Sequence, residues 1–219
     1  MTRCNTGARE DAADFEVVVE KRALVGEGSI WDAEKGVLYW VDILSHHLYV
    51  FDPPSGENRT IDTLQAVGTV VPRAGGGVIV ALHNGFAHLD LDTEKITFIA
   101  DPERDIPKNR FNDGKCDPSG RFWAGTISMV KNTGDAALYM LDTAGTLSLK
   151  VPQVTNSNGI CWSLDATKMY YIDTPTKQVR VYAYDNASGD IGSPEILVDT
   201  ESKGYDSSPD GMTIDAEGN

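Results

Sequence analysis

The stretch EGSIWD, Glu27 to Asp32, contains a pattern that recurs along the chain: a variable residue, then glycine, then a short run suited to a β-strand. The first residues of successive copies are separated by 40, 46, 45 and 52 positions. Repeats of about 40 to 50 residues that consist of short strands and turns are typical of β-propeller blades. The five copies are Glu27–Asp32, Val67–Pro72, Asp113–Pro118, Asn158–Ser163 and Asp210–Asp215.

The residues after each of the first four copies predict the rest of a blade. A turn is followed by a second run rich in β-branched and aromatic residues, and a third run ends in aspartate and turn residues. No stretch has sustained helical periodicity. We therefore predict an all-β chain with about four strands per blade. The predicted second strands are 37–41, 77–81, 121–124 and 168–172. Asp42 and Asp173 occupy equivalent positions after the second strand, which predicts a repeated structural hydrogen bond. The four tryptophans fall at strand positions and are expected to pack between blades: Trp31, Trp40, Trp123 and Trp162.

The fifth copy ends with the chain, after a predicted inner strand at Met212–Ile214. A propeller needs its last blade to pack against its first, because an open gap exposes apolar faces and unpaired strand edges. We therefore expect residues 15–219 to be a single propeller domain in which about four and a fraction blades are present and the C-terminal blades are missing. We also expect such a short form to aggregate or to be partly unfolded.

Composition limits the classes of partner. The formal net charge of −14 argues against a nucleic-acid partner. The sequence contains no apolar run of about 18 residues, so no membrane span is predicted. Residues 1–14 are polar and predict a disordered leader without the apolar core of a signal peptide. The odd set of three cysteines, Cys4, Cys116 and Cys161, has no metal-type spacing and suggests unpaired packing thiols in a cytoplasmic setting. The sequence leaves the oligomeric state unknown.

The residue before each repeated glycine should face one central point, because the inner strand of every blade lines the channel of a propeller. In order, that column reads Glu27, Val67, Asp113, Asn158 and Asp210. The glycine after each column residue is expected to let the backbone turn sharply there. Converging carboxylates repel each other unless a cation neutralises them, and these oxygen donors suit calcium, magnesium or manganese. Any one Asp-Gly or Asn-Gly pair is an ordinary turn signal. Four oxygen-bearing residues in register favour a metal site.

Several motifs closely resemble those of the senescence marker protein/regucalcin/gluconolactonase family, and they occur in family order from about Phe15 to the last residue. That resemblance implies a six-bladed propeller that hydrolyses sugar lactones with one divalent cation, whether calcium, zinc, manganese or magnesium. The motifs are Gly26–Asp32, Arg110–Lys115, Ala124–Thr126, Ser157–Gly159 with Trp162–Ser163, and Pro209–Met212.

The resemblance also implies residue roles. Glu27, Asn158 and Asp210 would be the metal ligands, Arg110 and Asn112 would contact the substrate, and Asp113 would lie close to the metal-bound water. Some members carry an acidic substrate contact shortly after the Ala-Gly-Thr strand, whereas Ile127 to Asn132 contains no acid. The substrate preference of those members is therefore not expected here.

Lactone hydrolysis needs a polarised carbonyl, an activated water and a group that takes the water's proton. Asp210 or Asp113 can take that proton, and the sequence leaves the choice open. Arg110 is expected to orient a hydroxylated substrate, the alternative being a surface salt bridge. Two other functions fit the same residues: a non-catalytic calcium-binding regulator, and a hydrolase of related esters or phosphotriesters.

Overall fold

The computed structural model describes residues 16–130 and 133–219, so the predicted leader at 1–14 lies outside the described residues. Within these two ranges there is no α-helix, and one 3-10 turn is present at Thr174–Thr176. The prediction of an all-β chain is confirmed. The strands are β1 (Gly26–Asp32), β2 (Val37–Asp42), β3 (His47–Asp52), β4 (Glu57–Asp62), β5 (Val67–Pro72), β6 (Val78–Leu82), β7 (Gly85–Leu89), β8 (Ile96–Ala100), β9 (Asn109–Cys116), β10 (Phe122–Ser128), β11 (Ala136–Leu141), β12 (Leu147–Val154), β13 (Ser157–Trp162), β14 (Lys168–Asp173), β15 (Gln178–Asp185), β16 (Asp190–Ile191) and β17 (Glu195–Asp199).

The strands form four antiparallel sheets, each from consecutive strands, and we number these sheets as blades 1 to 4. Blade 1 is β1-β2-β3-β4, blade 2 is β5-β6-β7-β8, and blade 3 is β9-β10-β11-β12. In blade 4, β13-β14-β15 continues to β17, while the short β16 pairs with another part of β15. The inner strands β1, β5, β9 and β13 contact one another in that order. The arrangement is that of a propeller, while the total of six blades stays a prediction.

The fifth repeat differs from the prediction. Met212–Ile214 was expected to be an inner strand, but the structure contains no strand between residues 200 and 219. A strand requires a ladder of backbone hydrogen bonds. This segment has one backbone bond to an inner strand, from the Gly159 N–H to the Asp210 carbonyl at 3.0 Å. The segment therefore follows β13 only at its start.

Apolar side chains fill the spaces between blades. The Tyr39, Val80 and Leu89 side chains belong to the cluster between blades 1 and 2, and further clusters join blades 2 and 3 and blades 3 and 4. The prediction that tryptophans pack between blades holds for Trp123 and Trp162, whose ring centroids lie 5.8 Å apart across blades 3 and 4.

The other two tryptophans do not follow that prediction. Trp40 stacks on Tyr49 of its own blade, with ring centroids 4.0 Å apart. Trp31 is 52% exposed, because it points away from the face of blade 1 that packs on blade 2. Trp31 is therefore not an inter-blade residue in the described structure.

A buried ion pair of blade 3, between Asp117 and Arg121, is hydrogen-bonded to blade 4. Asp117 Oδ2 accepts hydrogen bonds from Arg121 Nε at 2.6 Å, Tyr184 Oη at 2.6 Å and Trp123 Nε1 at 3.0 Å. Tyr184 belongs to β15 of blade 4, so the carboxylate is shared between the two sheets. Removing one partner would leave a buried charge uncompensated. The network thus fixes how the two blades meet.

The two cysteines in the described residues are free thiols in the strands, as predicted. Cys161 is buried and Cys116 is half-buried. Burial, followed by the nearby charge of Asp117, raises the pKa of the Cys116 thiol to about 12. A thiol with such a pKa stays protonated at neutral pH and is a poor nucleophile. No helix in the described part of the chain is long and apolar enough to cross a membrane.

Two aspartates at the ends of second strands hold the chain as it enters an inner strand. Asp42 accepts hydrogen bonds from the N–H groups of Leu24 and Val25, both at 2.9 Å. Asp173 accepts one from the N–H of Asn156 at 2.9 Å and further bonds from the preceding residue. The sequence predicted a repeated structural hydrogen bond at these positions, and the structure confirms it. Both carboxylates fix the backbone just before a column residue.

The Asp42 carboxylate generates a prediction about acid stability. Burial alone would raise the pKa of Asp42, but hydrogen bonds from Ser45, Val25 and Leu24 outweigh it and lower the pKa to about 2. Because an unfolded aspartate titrates near 3.9, the stabilisation is present above about pH 4 and is lost as the pH falls toward 2. We expect Asp42→Asn to cost about 1–2 kcal/mol at pH 7 and to flatten the dependence of stability on pH between about 4 and 2.

Urea unfolding measured across that pH range checks this expectation. The matched control is Asp92→Asn, since Asp92 is exposed and its carboxylate bonds to no other described residue. Equal pH profiles for the Asp42 variant and the unmodified protein would show that the clamp contributes nothing.

Candidate functional site

Each of the four inner strands has one extra residue at its column position. In blade 1, the three-residue step from Glu27 to Ile30 lies opposite the two-residue step from Val41 to Tyr39. Such a bulge bends the strand locally and redirects a side chain. The bulges therefore turn the column residues relative to the pleat of their sheets. The corresponding steps in the other blades are Val67–Thr69, Phe111–Gly114 and Ser157–Ile160.

The glycines of the repeat allow inner strands to approach closely. We interpreted them from the sequence as positions of sharp backbone turning, but only Gly28, with φ of 58°, has the required positive φ. A Cβ on Gly68 would lie 2.5 Å from the carbonyl oxygens of Phe111 and Asn112, and one on Gly159 would lie 2.6 Å from that of Asp210. The physical reason for glycine at these positions is therefore contact between neighbouring backbones.

Three carboxylates influence one another across the channel. Loss of hydration raises the pKa of Glu27, and the negative charges of Asp210 and Asp113 raise it further, while Arg110 lowers it. Burial is the main cause that raises the pKa of Asp113, and the charge of Asp210 adds to it. Within residues 16–130 and 133–219, the side chains of Glu27 and Asp210 have no hydrogen-bond or ion-pair partner. Arg110 lowers the pKa of Glu27 and Lys115 lowers that of Asp113, but none of the three carboxylates forms an ion pair with a described residue.

Asn158 adds an oriented neutral oxygen. Its side chain is 7% exposed, and its Nδ2 donates to Thr174 Oγ1 at 3.0 Å. No described residue donates a hydrogen bond to its Oδ1. Because the amide nitrogen is held by Thr174, the oxygen is the atom left free for a ligand.

Arg110 and Asn112 form a second, linked pair on β9. Arg110 Nη1 donates to Asn112 Oδ1 at 3.0 Å and to the Phe111 carbonyl at 2.9 Å. Asn112 Nδ2 in turn donates to the Ser157 carbonyl of blade 4 at 2.8 Å. Arg110 has no ion pair among the described residues, so the alternative of a surface salt bridge is not what the structure contains. Its guanidinium is half-buried and fixed.

A cavity of about 450 Å³ lies inside the ring of inner strands. Glu27, Asp113, Thr69, Lys115 and Met212 contribute to its wall. In the described part of the chain, no group of three or more His, Cys, Asp or Glu side chains could hold a metal ion, so a metal site here would need a donor of another residue type. Of the predicted site residues, Glu27 and Asp113 line this cavity. The other four are not among its lining residues, so a single site formed by all six stays a prediction: Arg110, Asn112, Asn158 and Asp210.

Sequence reasoning missed two residues here. Thr174, which orients Asn158, directly follows the predicted clamp residue Asp173, and that adjacency is the signal that could have identified it. Lys115 belongs to the same motif as Arg110, but it received no role.

Comparison with known proteins shows which family the chain belongs to. Residues 25–219 match the model of the SMP-30/Gluconolactonase/LRE-like region. The chain belongs to this family. It is 41% identical over 205 residues to the Bacillus subtilis protein named "Putative sugar lactone lactonase YvrE". The aligned region covers 94% of this chain and 70% of that protein. It is 33% identical over 204 residues to the 6-deoxy-6-sulfogluconolactonase of Pseudomonas putida, covering 93% and 69%.

Solved structures agree with that membership. The crystal structure of the calcium-binding protein regucalcin from Agrobacterium tumefaciens superposes with a TM-score of 0.86 at 30% identity, covering 92% of this chain and 68% of that one. A luciferin-regenerating enzyme superposes with a TM-score of 0.85 at 32% identity, covering 90% and 68%. The propeller expected from the repeats is therefore shown by homologous structures as well.

The close approach of inner strands can be tested with alanine at the repeat glycines. Gly68→Ala should destabilise the protein by about 1–3 kcal/mol, because the new methyl group overlaps the backbone of β9. Gly211→Ala is the matched control, since a Cβ there meets nothing within 4 Å and its φ is not positive. Thermal and urea unfolding measure the difference. Equal stability of the two variants would contradict the account of the glycines.

Proposed function

We propose that this protein is a divalent-metal-dependent hydrolase that opens sugar lactones. The observation that carries the proposal is the proximity of carboxylates that form no ion pair with a described residue to the Arg110–Asn112 pair. Relatives named as lactonases, one of them a 6-deoxy-6-sulfogluconolactonase, support the reaction class. The regucalcin structure described as that of a calcium-binding protein supports a cation.

The donor set fits a hard divalent cation such as calcium, magnesium or manganese. Glu27 and Asp210 supply two carboxylates without a hydrogen-bond or ion-pair partner among residues 16–130 and 133–219, and Asn158 supplies an amide oxygen whose orientation is fixed through Thr174. Oxygen donors of this kind are those that calcium, magnesium and manganese prefer. A cation would remove the mutual repulsion that raises the pKa of Glu27. We therefore assign these three residues as the metal ligands.

When bound, the cation would polarise the lactone carbonyl and make a water molecule more acidic. Arg110 Nη1 already donates to Asn112 Oδ1, which fixes the plane of the guanidinium. Its remaining N–H donors would bond to substrate hydroxyl or ring oxygens. Asn112, fixed by the Ser157 carbonyl, would position the same part of the substrate.

We assign proton removal from the attacking water to Asp113 rather than Asp210. Burial raises the pKa of Asp113, which brings a carboxylate closer to the range useful for a general base. Its Oδ1 accepts the Gly114 N–H at 2.7 Å, and that bond leaves the second oxygen available. Asp210 would instead be committed to the cation.

A non-catalytic calcium-binding regulator is the second candidate, and the regucalcin relatives favour it. Such a protein needs the three oxygen ligands but has no use for Arg110. The fixed guanidinium beside the site favours the hydrolase.

The proposed role of Arg110 can be tested by kinetics on gluconolactone and pentonolactones. Arg110→Ala should lower kcat/KM by about 10- to 1,000-fold with unchanged metal affinity, because it removes a positioning contact and no ligand. Arg104→Ala is the matched control, since Arg104 is 81% exposed and lies on the loop before β9. Chelator should abolish hydrolysis, and added metal should restore it.

Two results would contradict the proposal. Equal loss of metal affinity and activity in Arg110→Ala would show that Arg110 is structural. Metal binding without hydrolysis of any lactone by the unmodified protein would favour the calcium-binding regulator instead.

A further inference from the structure

Lys115 is the one basic side chain among the residues that line the central cavity, and neither the motif comparison nor the proposed chemistry gives it a role. It lies on β9 two residues after Asp113, opposite Trp123 of β10. Its side chain is half-buried and forms no ion pair with any described residue. Its charge acts on the nearby Asp113 without a direct ion pair, so charge alone does not explain where its ammonium group is held.

The ammonium group is instead bonded to a backbone carbonyl. Lys115 Nζ donates to the carbonyl oxygen of Met212 at 3.1 Å, across a sequence separation of 97 residues. Met212 belongs to the segment that follows Asp210 and forms no strand. The bond therefore spans the cavity from blade 3 to the beginning of the fifth repeat.

This segment has few other attachments. Among the described residues, the backbone from 209 to 214 makes two hydrogen bonds to the blades: the Gly159 N–H donates to the Asp210 carbonyl, and Lys115 donates to that of Met212. One bond lies at Asp210 and the other two residues later. Together they fix both the position and the direction of the chain that carries the Asp210 carboxylate.

We infer that Lys115 is a positioning residue that holds Asp210 in place for cation binding by anchoring the Met212 carbonyl. The inference rests on the proposed function, because it takes Asp210 as a metal ligand. A lysine suits the task because its long stem reaches across the cavity and its charge strengthens the hydrogen bond to a carbonyl.

The sign of the effect on cation affinity distinguishes this role from simple electrostatics. If Lys115 acted only through its charge, then removing it would strengthen binding of a cation by about two- to five-fold, because one repulsive positive charge is lost. If Lys115 anchors the Asp210 segment, then removing it should weaken binding by about 10-fold, the cost of losing one charge-assisted hydrogen bond.

The experiment is calorimetric titration of Ca²⁺ and Mn²⁺ into the unmodified protein and into Lys115→Met, which keeps the apolar stem and loses the donor. Lys95→Met is the matched control, since it removes the same charge from an exposed turn between β7 and β8. Lys115→Arg should restore a large part of the affinity. Weaker binding confined to Lys115→Met supports the inference, and unchanged or stronger binding in that variant overturns it.

Hydrogen exchange measured in chelator provides a readout that needs no metal. In Lys115→Met, the Gly159 amide, whose N–H is bonded to the Asp210 carbonyl, should exchange at least about 5-fold faster while the ladder amides of β9 and β13 stay protected. If the unmodified protein binds neither ion, then the proposed function fails, and exchange alone decides whether Lys115 anchors the segment. Exchange that is unchanged at Gly159, or faster throughout the protein in both Lys115 variants, overturns the inference.

Discussion

The candidate site depends on how closely neighbouring inner strands approach one another. Every inner strand of the four blades has one extra residue at the column position, and a repeat glycine lies at each of these bulges. At Gly68 and Gly159, a methyl group would overlap the backbone of the next inner segment. The same local geometry therefore does two things: it lets neighbouring inner strands approach closely and it redirects one side chain per blade relative to the pleat of its sheet. Side chains far apart in sequence meet because each blade repeats this geometry.

Electrostatics then decides what the ring can hold. Glu27, Asp113 and Asp210 influence one another, and burial makes the charged form of Asp113 costly. The Asp42 and Asp173 clamps hold the backbone just before Glu27 and Asn158, whereas Asp210 lies on a segment with few attachments. Glu27 and Asp210 are exposed and Asp113 is half-buried, so water screens part of their repulsion, and a bound cation would remove more of it.

Much of this architecture could be predicted from sequence because each copy of the repeat is a local pattern of a few residues. The period indicated blades, the residue before each glycine indicated the column, and Asp42 and Asp173 were identified as repeated structural positions. The bulges could not be predicted, since they depend on the register between two strands, which the sequence of either strand does not specify. The fifth strand and the packing of Trp31 were predicted wrongly, because each depends on a neighbouring sheet rather than on local propensity. Lys115 was missed because its partner is a backbone carbonyl 97 residues away. Every residue has a backbone carbonyl, so the sequence does not indicate which one Lys115 binds.

The central claim is that Glu27, Asn158 and Asp210 hold one divalent cation at the mouth of the channel. Anomalous diffraction from crystals soaked in Mn²⁺ tests it most directly, because manganese is located without assuming its ligands. The account predicts one strong peak within about 2.5 Å of oxygens from all three residues, and no such peak in Glu27→Gln crystals soaked in the same way. A peak elsewhere, no peak in the channel, or a channel peak that is unchanged in Glu27→Gln would contradict it.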